Sequence, residues 1–353
     1  MNPPAESDRV TDRRPIRCGA VGVGRMGRHH ARVYAQLDES ELIGVVDTNT
    51  KLAGEYADKF DARPFDSVEQ LIDAGVEAVS IAVPTTAHRE VAEPLLRAGV
   101  ACLIEKPLAP DAETAHKIKA VSDETNAVLM VGHIERFNPI MRAMQAATRD
   151  GSAIIPRFIQ VHRVSPMTFR SVDIGVVMDM MIHDLDVVLM LMGGIEPDEV
   201  RAAGVAVLTV HEDICNAWLT WRRPSGTCVA NLTASRLALK TERVTRITGE
   251  NGYIKIDYAA KTGTIIRRTA NEIQMREMAD QLRQGTDLTD LKWDELVNVE
   301  QLVIDDAEPL AMEIQSFLGA VRSGERPPID ATAGLVNVRT AERVVRAIKE
   351  LMG

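Results

Sequence analysis

The sequence is short of basic charge, of paired cysteines and of any long apolar run free of ionisable residues. Acids outnumber bases, 51 against 41, in a chain of 353 residues with a formal net charge of −10. A broad nucleic-acid surface needs clustered Lys and Arg to replace counterions, so none is expected. A small basic pocket for an anionic ligand stays compatible with that balance. Cys18, Cys102, Cys215 and Cys228 lie far apart, with no CxxC pair and no zinc-like spacing. No disulfide framework is expected, which fits a reducing compartment, and cysteines in apolar runs are expected to be small buried hydrophobes. The most apolar stretch, 174–195, carries Asp179, His183, Asp184 and Asp186, too many charges for a bilayer span. Residues 1–15 lack the apolar core of a secretory signal and read as a disordered polar leader. What is left is a cytoplasmic globular chain, 45% hydrophobic with only 4% aromatic residues. At roughly 150 residues per domain its length makes about two domains.

From Ile16 to about Gly132, short apolar runs alternate with amphipathic stretches. IRCGAVGVG, ELIGVVD, EAVSIAV, VACLIEK and AVLMVG read as buried strands. MGRHHARVYAQL, TKLAGEYADKF, SVEQLID, HREVAEPLLRAG and DAETAHKIKAVSDET read as helices, with Gly99 closing one and Asp111 capping another. This alternation predicts an α/β fold with a parallel sheet covered on both faces. Beyond about 150 the pattern changes to strands at 154–165, 199–210, 213–222, 226–237, 243–249 and 252–258, interrupted by one long helix over 172–192. That predicts an α+β second domain with a largely antiparallel open sheet. The expected partition is 16–135 for the first domain, 136–330 for a substrate and oligomerisation domain, and 331–353 for a closing helix. Residues 268–300 are charged and helical in part, and 308–323 reads as a further helix.

Gly22-Val23-Gly24-Arg25-Met26-Gly27 follows the first strand and opens a helix. The first glycine permits the turn, the second lets backbone approach a pyrophosphate, and the third lets helix and strand pack closely. A second strand ends in Asp47, placed to accept the ribose hydroxyls and to repel a 2′-phosphate. No arginine stands at 48–50, so NAD is favoured over NADP. The plain alternative is a turn without a ligand and an Asp47 that caps a helix.

Glu105-Lys106-Pro107 follows the strand VACLI, at the strand end where open α/β sheets bind ligands. A lysine there can hold a substrate oxygen or join a proton relay. Asp179 and His183 are spaced i, i+4 on the long helix, one turn apart on one face. A histidine beside a carboxylate is held in one tautomer and made more basic, as a general base requires. Metal ligation is set aside for want of a second cluster. His29 and His30 are read as surface residues, and the nearby methionines Met178, Met180, Met181 and Met190 as core.

GVGRMG, EKP and a DxxxHD helix in an α+β second domain, in that order, resemble the Gfo/Idh/MocA oxidoreductases. The resemblance implies a Rossmann domain, bound NAD(P), oxidation or reduction of a ring hydroxyl, and an open sheet used for homo-oligomers. It maps the catalytic residues to Lys106, Asp179 and His183, and further cofactor contacts to Arg25, Met26, Pro84 and Glu105. Gly132-His133-Ile134-Glu135-Arg136-Phe137-Asn138-Pro139, with Ile182-His183-Asp184, is similar to the bacterial UDP-N-acetylglucosamine 3-dehydrogenase branch. That branch makes a 3-keto nucleotide sugar, which an aminotransferase converts to an amino sugar for lipid A. His133, Arg136 and Asn138 are then substrate-site candidates. Residues 152–172 contain Arg157, His162, Arg163 and Arg170 and no acid, so Arg163 and Arg170 are diphosphate candidates. The alternatives are an ordinary strand with solvated arginines, a dehydrogenase of free sugars, inositols or the uronate-bearing nucleotide sugar, and a non-catalytic NAD-binding regulator. Whether Lys106 or His183 accepts the proton stays open.

Overall fold

A computed structural model describes residues 14–148, 154–168, 173–285 and 296–352. The predicted leader lies outside the described residues up to position 13, as does Arg170. The chain divides into two units. The first runs to Leu108 and adds His116–Gly132 and Leu310–Ala331. The second takes Ala109–Ala115, His133–Pro309 and the C-terminal residues from Thr332. The linear partition differs in three places: residues 310–330, expected in the second domain, return to the first, 109–115 and 133–135 join the second, and the closing segment from Thr332 belongs to the second unit rather than standing apart.

The first unit is built on β1 (Ile16–Val21), β2 (Ser40–Val46), β3 (Arg63–Phe65), β4 (Ala78–Ile81), β5 (Ala101–Glu105) and β6 (Leu129–Gly132). All pair in parallel in the order β3-β2-β1-β4-β5-β6, which is the handed, doubly wound nucleotide-binding arrangement. Strand order reverses between β1 and β4, and ligands sit outside the strand ends at such a reversal. Central strands are apolar on both faces: β4 is buried at every residue and β1 at all but Arg17. β3 escapes sequence reading because it has three residues and contains Pro64, tolerated here on the sheet edge. The connecting helices are α1 (Gly27–Gln36), α2 (Thr50–Lys59), α3 (Val68–Asp73), α4 (His88–Arg97) and α5 (Ala112–Thr125). Asp111 caps α5 by accepting from the Thr114 N–H at 2.6 Å.

The second unit contains α6 (Pro139–Ala147), α7 (Ile182–Leu191) and an eight-stranded sheet. Its strands are β7 (Pro156–Val164), β8 (Glu199–Val205), β9 (Ile214–Arg223), β10 (Gly226–Ser235), β11 (Glu242–Gly249), β12 (Gly252–Asp257), β13 (Thr262–Arg268) and β14 (Val297–Gln301). Their order is β14-β13-β12-β11-β7-β10-β9-β8, antiparallel except for the parallel pair β7 and β10. β13 and β14 were not predicted. Within 268–300, α8 (Glu272–Arg283) supplies the expected helix, and 286–295 lies outside the described residues. The last helices are α9 (Pro309–Ser323) and α10 (Ala331–Met352).

One face of this sheet is apolar by strict alternation: Cys215, Ala217, Leu219 and Trp221 of β9 are buried between half-exposed neighbours. They pack in one core with Leu185, Val188 and Leu189 of α7 and Val344 and Ile348 of α10. The other face carries Trp218, 47% exposed, beside Phe158 with ring centroids 6.1 Å apart. All four cysteines are buried and free, where apolar surroundings led three of them to be expected so. Among the described residues no helix is long and apolar enough to cross a membrane, and none form a metal-binding cluster.

Candidate active site

In the first unit the glycine motif makes the turn between β1 and α1. Gly22 has φ of +80°, and a Cβ there would lie 2.9 Å from the Ala82 backbone beyond β4. A Cβ at Gly27 would collide with the Gly22 carbonyl oxygen, so helix and loop approach more closely than any side chain allows. At Gly24, by contrast, a Cβ would meet nothing within 4 Å. That open space lies before a helix whose cap, Met26, makes no side-chain hydrogen bond and whose first turn holds no acid. The positive dipole end of α1 thus lies beside a glycine with room for a close approach, which suits a pyrophosphate. Arg25 and Met26 are exposed there. Pro84 follows β4 on the other side of the strand reversal and leads into a 3₁₀ turn at Thr85–Ala87.

Asp47 stands just beyond β2. Its Oδ2 accepts from the Val23 N–H and its Oδ1 from the Asn49 N–H, each at 2.8 Å. The cap of α2 is Asn49, which accepts from the Leu52 N–H at 3.1 Å, so Asp47 is not a helix cap. Each Asp47 oxygen keeps acceptor capacity for a ribose hydroxyl while the carboxylate ties the glycine loop to β2. These residues fit NAD. Gly24→Val is expected to leave the urea midpoint within error and to weaken NAD binding about tenfold or more, because the side chain fills the pyrophosphate position. Titration calorimetry checks this, and unchanged affinity would overturn the placement.

β5 ends in Glu105, followed by Lys106, and the Lys106–Pro107 peptide bond is cis. Lys106 is half-buried. Glu105 Oε2 accepts from the Lys106 N–H at 3.2 Å and Oε1 lies 2.9 Å from His30 Nε2. The expectation of a surface His30 is wrong: its side chain is fully buried. α1 turns Gly27, His30, Ala31 and Tyr34 inward, an i, i+3, i+4, i+7 set that places His30 on the apolar face. His29 is half-buried.

In the second unit the predicted long helix is two segments. Val177–Met181 is a π turn containing Asp179, and α7 begins at Ile182 with His183 as its second residue. Single π turns within helices concentrate at functional sites, because they re-aim side chains at the expense of regular hydrogen bonding. Asp179 and His183 are both half-buried. The segment is held at its start by Glu212, whose carbonyl accepts from Val176 N–H at 3.0 Å and whose Oε1 accepts from Val177 N–H at 3.2 Å. At the junction, buried Asn337 of α10 donates to the Ile182 carbonyl at 3.1 Å.

The two acids after His183 point into the protein. Asp184 receives Arg163 in a two-point grip, Nε at 2.8 Å and Nη2 at 2.9 Å, and Nη2 also reaches Glu135 at 3.1 Å. Burial works against the charge on Arg163, but Asp184 and Glu135 outweigh it and hold the guanidinium pKa above its ordinary value. Arg136 grips Asp186 in the same way, at 2.7 and 2.6 Å. Buried His133 has Nε2 4.0 Å from Asp186 Oδ1. Asn138 caps α6 by accepting from the Ile140 N–H at 3.2 Å, ahead of Pro139. The sequence reading offered Arg163, Arg136 and Asn138 to a ligand, whereas here their polar groups hold protein. The missed signal was two acids in an otherwise apolar helix, which are buried only with partners.

Residues 16–133 match the oxidoreductase family with an NAD-binding Rossmann fold, and 159–255 match the GFO/IDH/MocA C-terminal domain. The chain belongs to the Gfo/Idh/MocA oxidoreductase family. It is an NAD-dependent oxidoreductase by that membership. This family member is 37% identical over 339 residues to a UDP-N-acetylglucosamine 3-dehydrogenase of Acidithiobacillus ferrooxidans, covering 96% of this chain and 98% of the relative. A solved structure of that dehydrogenase superposes with a TM-score of 0.82 at 36% identity, covering 96% and 98% of the two chains. An inositol 2-dehydrogenase of Rhizobium meliloti is 25% identical over 350 residues, covering 95% and 97%.

Proposed function

We propose that this Gfo/Idh/MocA enzyme oxidises the C3 hydroxyl of UDP-N-acetylglucosamine to the 3-keto sugar. The observation that carries the reading is the end-to-end similarity to the Acidithiobacillus ferrooxidans dehydrogenase, at 37% identity. In this reading His183 takes the hydroxyl proton on its imidazole, Asp179 holds that ring, and Lys106 stabilises the developing alkoxide; Lys106 and His183 can exchange the proton-accepting role. NAD supplies the hydride acceptor. Gly22, Gly24, Gly27 and Asp47 bind the dinucleotide, with Arg25, Met26, Pro84 and Glu105 beside it. His133, Arg136 and Arg163 enter as residues that hold the helix bearing His183, and Arg170 is kept as a diphosphate contact.

The wider setting belongs to the same proposal: a cytoplasmic enzyme supplying a ketone to an aminotransferase in lipid A synthesis, assembled as a homo-oligomer. The exposed sheet face around Trp218 and Phe158 supports the last point, since a large aromatic there is suited to burial against another copy. A second reading, a polyol dehydrogenase, is favoured by the 25% identity to inositol 2-dehydrogenase. NADH absorbance separates them, run with UDP-N-acetylglucosamine, free N-acetylglucosamine, myo-inositol and the uronate-bearing nucleotide sugar, with a carbonyl trap present. Turnover is expected with UDP-N-acetylglucosamine and not with the free sugar, because a site built for a diphosphate is left with unpaired polar groups without it. Activity on myo-inositol alone would replace the first reading by the second.

A further inference from the structure

The four polar groups behind Lys106 form an unbroken chain in the first unit. Tyr34 Oη lies 2.8 Å from Ser80 Oγ, and Ser80 Oγ 2.9 Å from His30 Nδ1. His30 Nε2 is 2.9 Å from Glu105 Oε1, and Glu105 Oε2 accepts from the Lys106 N–H at 3.2 Å. Tyr34, Ser80 and His30 are at most 1% exposed. The chain has one self-consistent direction with a neutral ring. Tyr34 donates to Ser80, Ser80 donates to Nδ1, and the Nε2–H donates to the carboxylate. β6 leaves room for that carboxylate at Gly132, which pairs with Glu105 and where a Cβ would lie 3.3 Å from its Cδ.

A buried polar chain is costly unless every member is satisfied, and then it fixes one arrangement. The group fixed here is the carboxylate that precedes the lysine assigned to the reaction. We propose that His30, oriented by Ser80 and Tyr34, is a positioning residue that locks Glu105 as a carboxylate and thereby sets the placement and charge of Lys106 during hydride transfer. This rests on the reading of Lys106 as the alkoxide-stabilising group. Burial works against the Glu105 carboxylate, but the hydrogen bond from His30 and the positive charge of Lys106 favour it, and its pKa stays below the ordinary range. His88, at the start of α4, has its ring nitrogens on the Leu108 and Val83 carbonyls, and burial holds its pKa below the ordinary value.

The test uses the full chain with UDP-N-acetylglucosamine as substrate. His30→Leu is expected to lower kcat roughly 10- to 100-fold by misplacing a reacting group. NAD affinity by calorimetry and the sugar KM should change less than about threefold. Without His30 the carboxylate protonates more readily, so the acid limb of the kcat profile should move to higher pH. His30→Gln, whose amide N–H can reach the same oxygen, should recover most of kcat and return the limb. Equal losses in the Leu and Gln variants, or an unchanged His30→Leu, would overturn the proposal. An independent readout needs no turnover: nitrogen-15 NMR of the histidine rings should show His30 as the Nε2–H tautomer, and the Nδ1–H tautomer would equally overturn it. Lys106→Ala in parallel separates the two readings. An active Lys106→Ala sinks the lysine assignment and this proposal together, whereas an inactive one beside an unchanged His30→Leu sinks this proposal alone.

Discussion

His183→Ala is expected to lower kcat by roughly 10²–10⁴-fold, the range for losing a positioned general base, with NAD affinity unchanged. Lys106→Ala is expected to fall comparably if Lys106 is the cation that stabilises the alkoxide, as proposed. Lys106 leaves the end of β5 with its backbone N–H held by Glu105. His183 is the second residue of α7, between the π turn that carries Asp179 and two acids gripped by Arg163 and Arg136. Calorimetric NAD binding and kcat for both variants make the measurement. Turnover near wild type in both would remove the assignment of the reacting groups while leaving the fold and the dinucleotide loop untouched.

Arg163→Met is expected to destabilise the protein by about 3–5 kcal/mol, the cost of removing one partner from a buried ion pair. The magnitude follows from what remains: Asp184 and Glu135, 4% and 8% exposed, with their shared cation gone. Replacing both ends, Arg163→Met with Asp184→Leu, is expected to lose less than the single change, because no uncompensated carboxylate is left on α7. Urea denaturation of the three proteins tests this. A neutral single variant would show that Arg163 is not structural, and would restore it as a candidate for the substrate diphosphate. The single variant should also lose kcat, since Asp184 directly follows His183 and its anchoring sets where that helix turn lies.

Much of the first unit was legible because its signals are local. Each buried parallel strand is a short apolar run, and the glycine motif needs only its own backbone geometry to be recognised. β3 was hidden by its length and its proline, and β13 and β14 by weak patterns beside a charged helix. The π turn was invisible, because the apolar spacing of 174–192 suits a continuous α-helix equally well. His30 read as a surface residue from its place early in α1, although its i, i+3, i+4, i+7 companions put it on the apolar face.

Residue order alone settled the parallel sheet and the glycine loop with Asp47 at the next strand end. Those are properties of short segments whose conformations are dictated by steric and hydrophobic periodicity. Tertiary structure decided which charges meet. Arg163, Arg136 and His30 each looked free in one dimension, and each is turned inward onto a carboxylate supplied by a residue 21, 50 and 75 positions away. Desolvation is the reason: an ionisable side chain packs into a core only where its partner is already held, and that condition is written in distances between elements, not in sequence spacing.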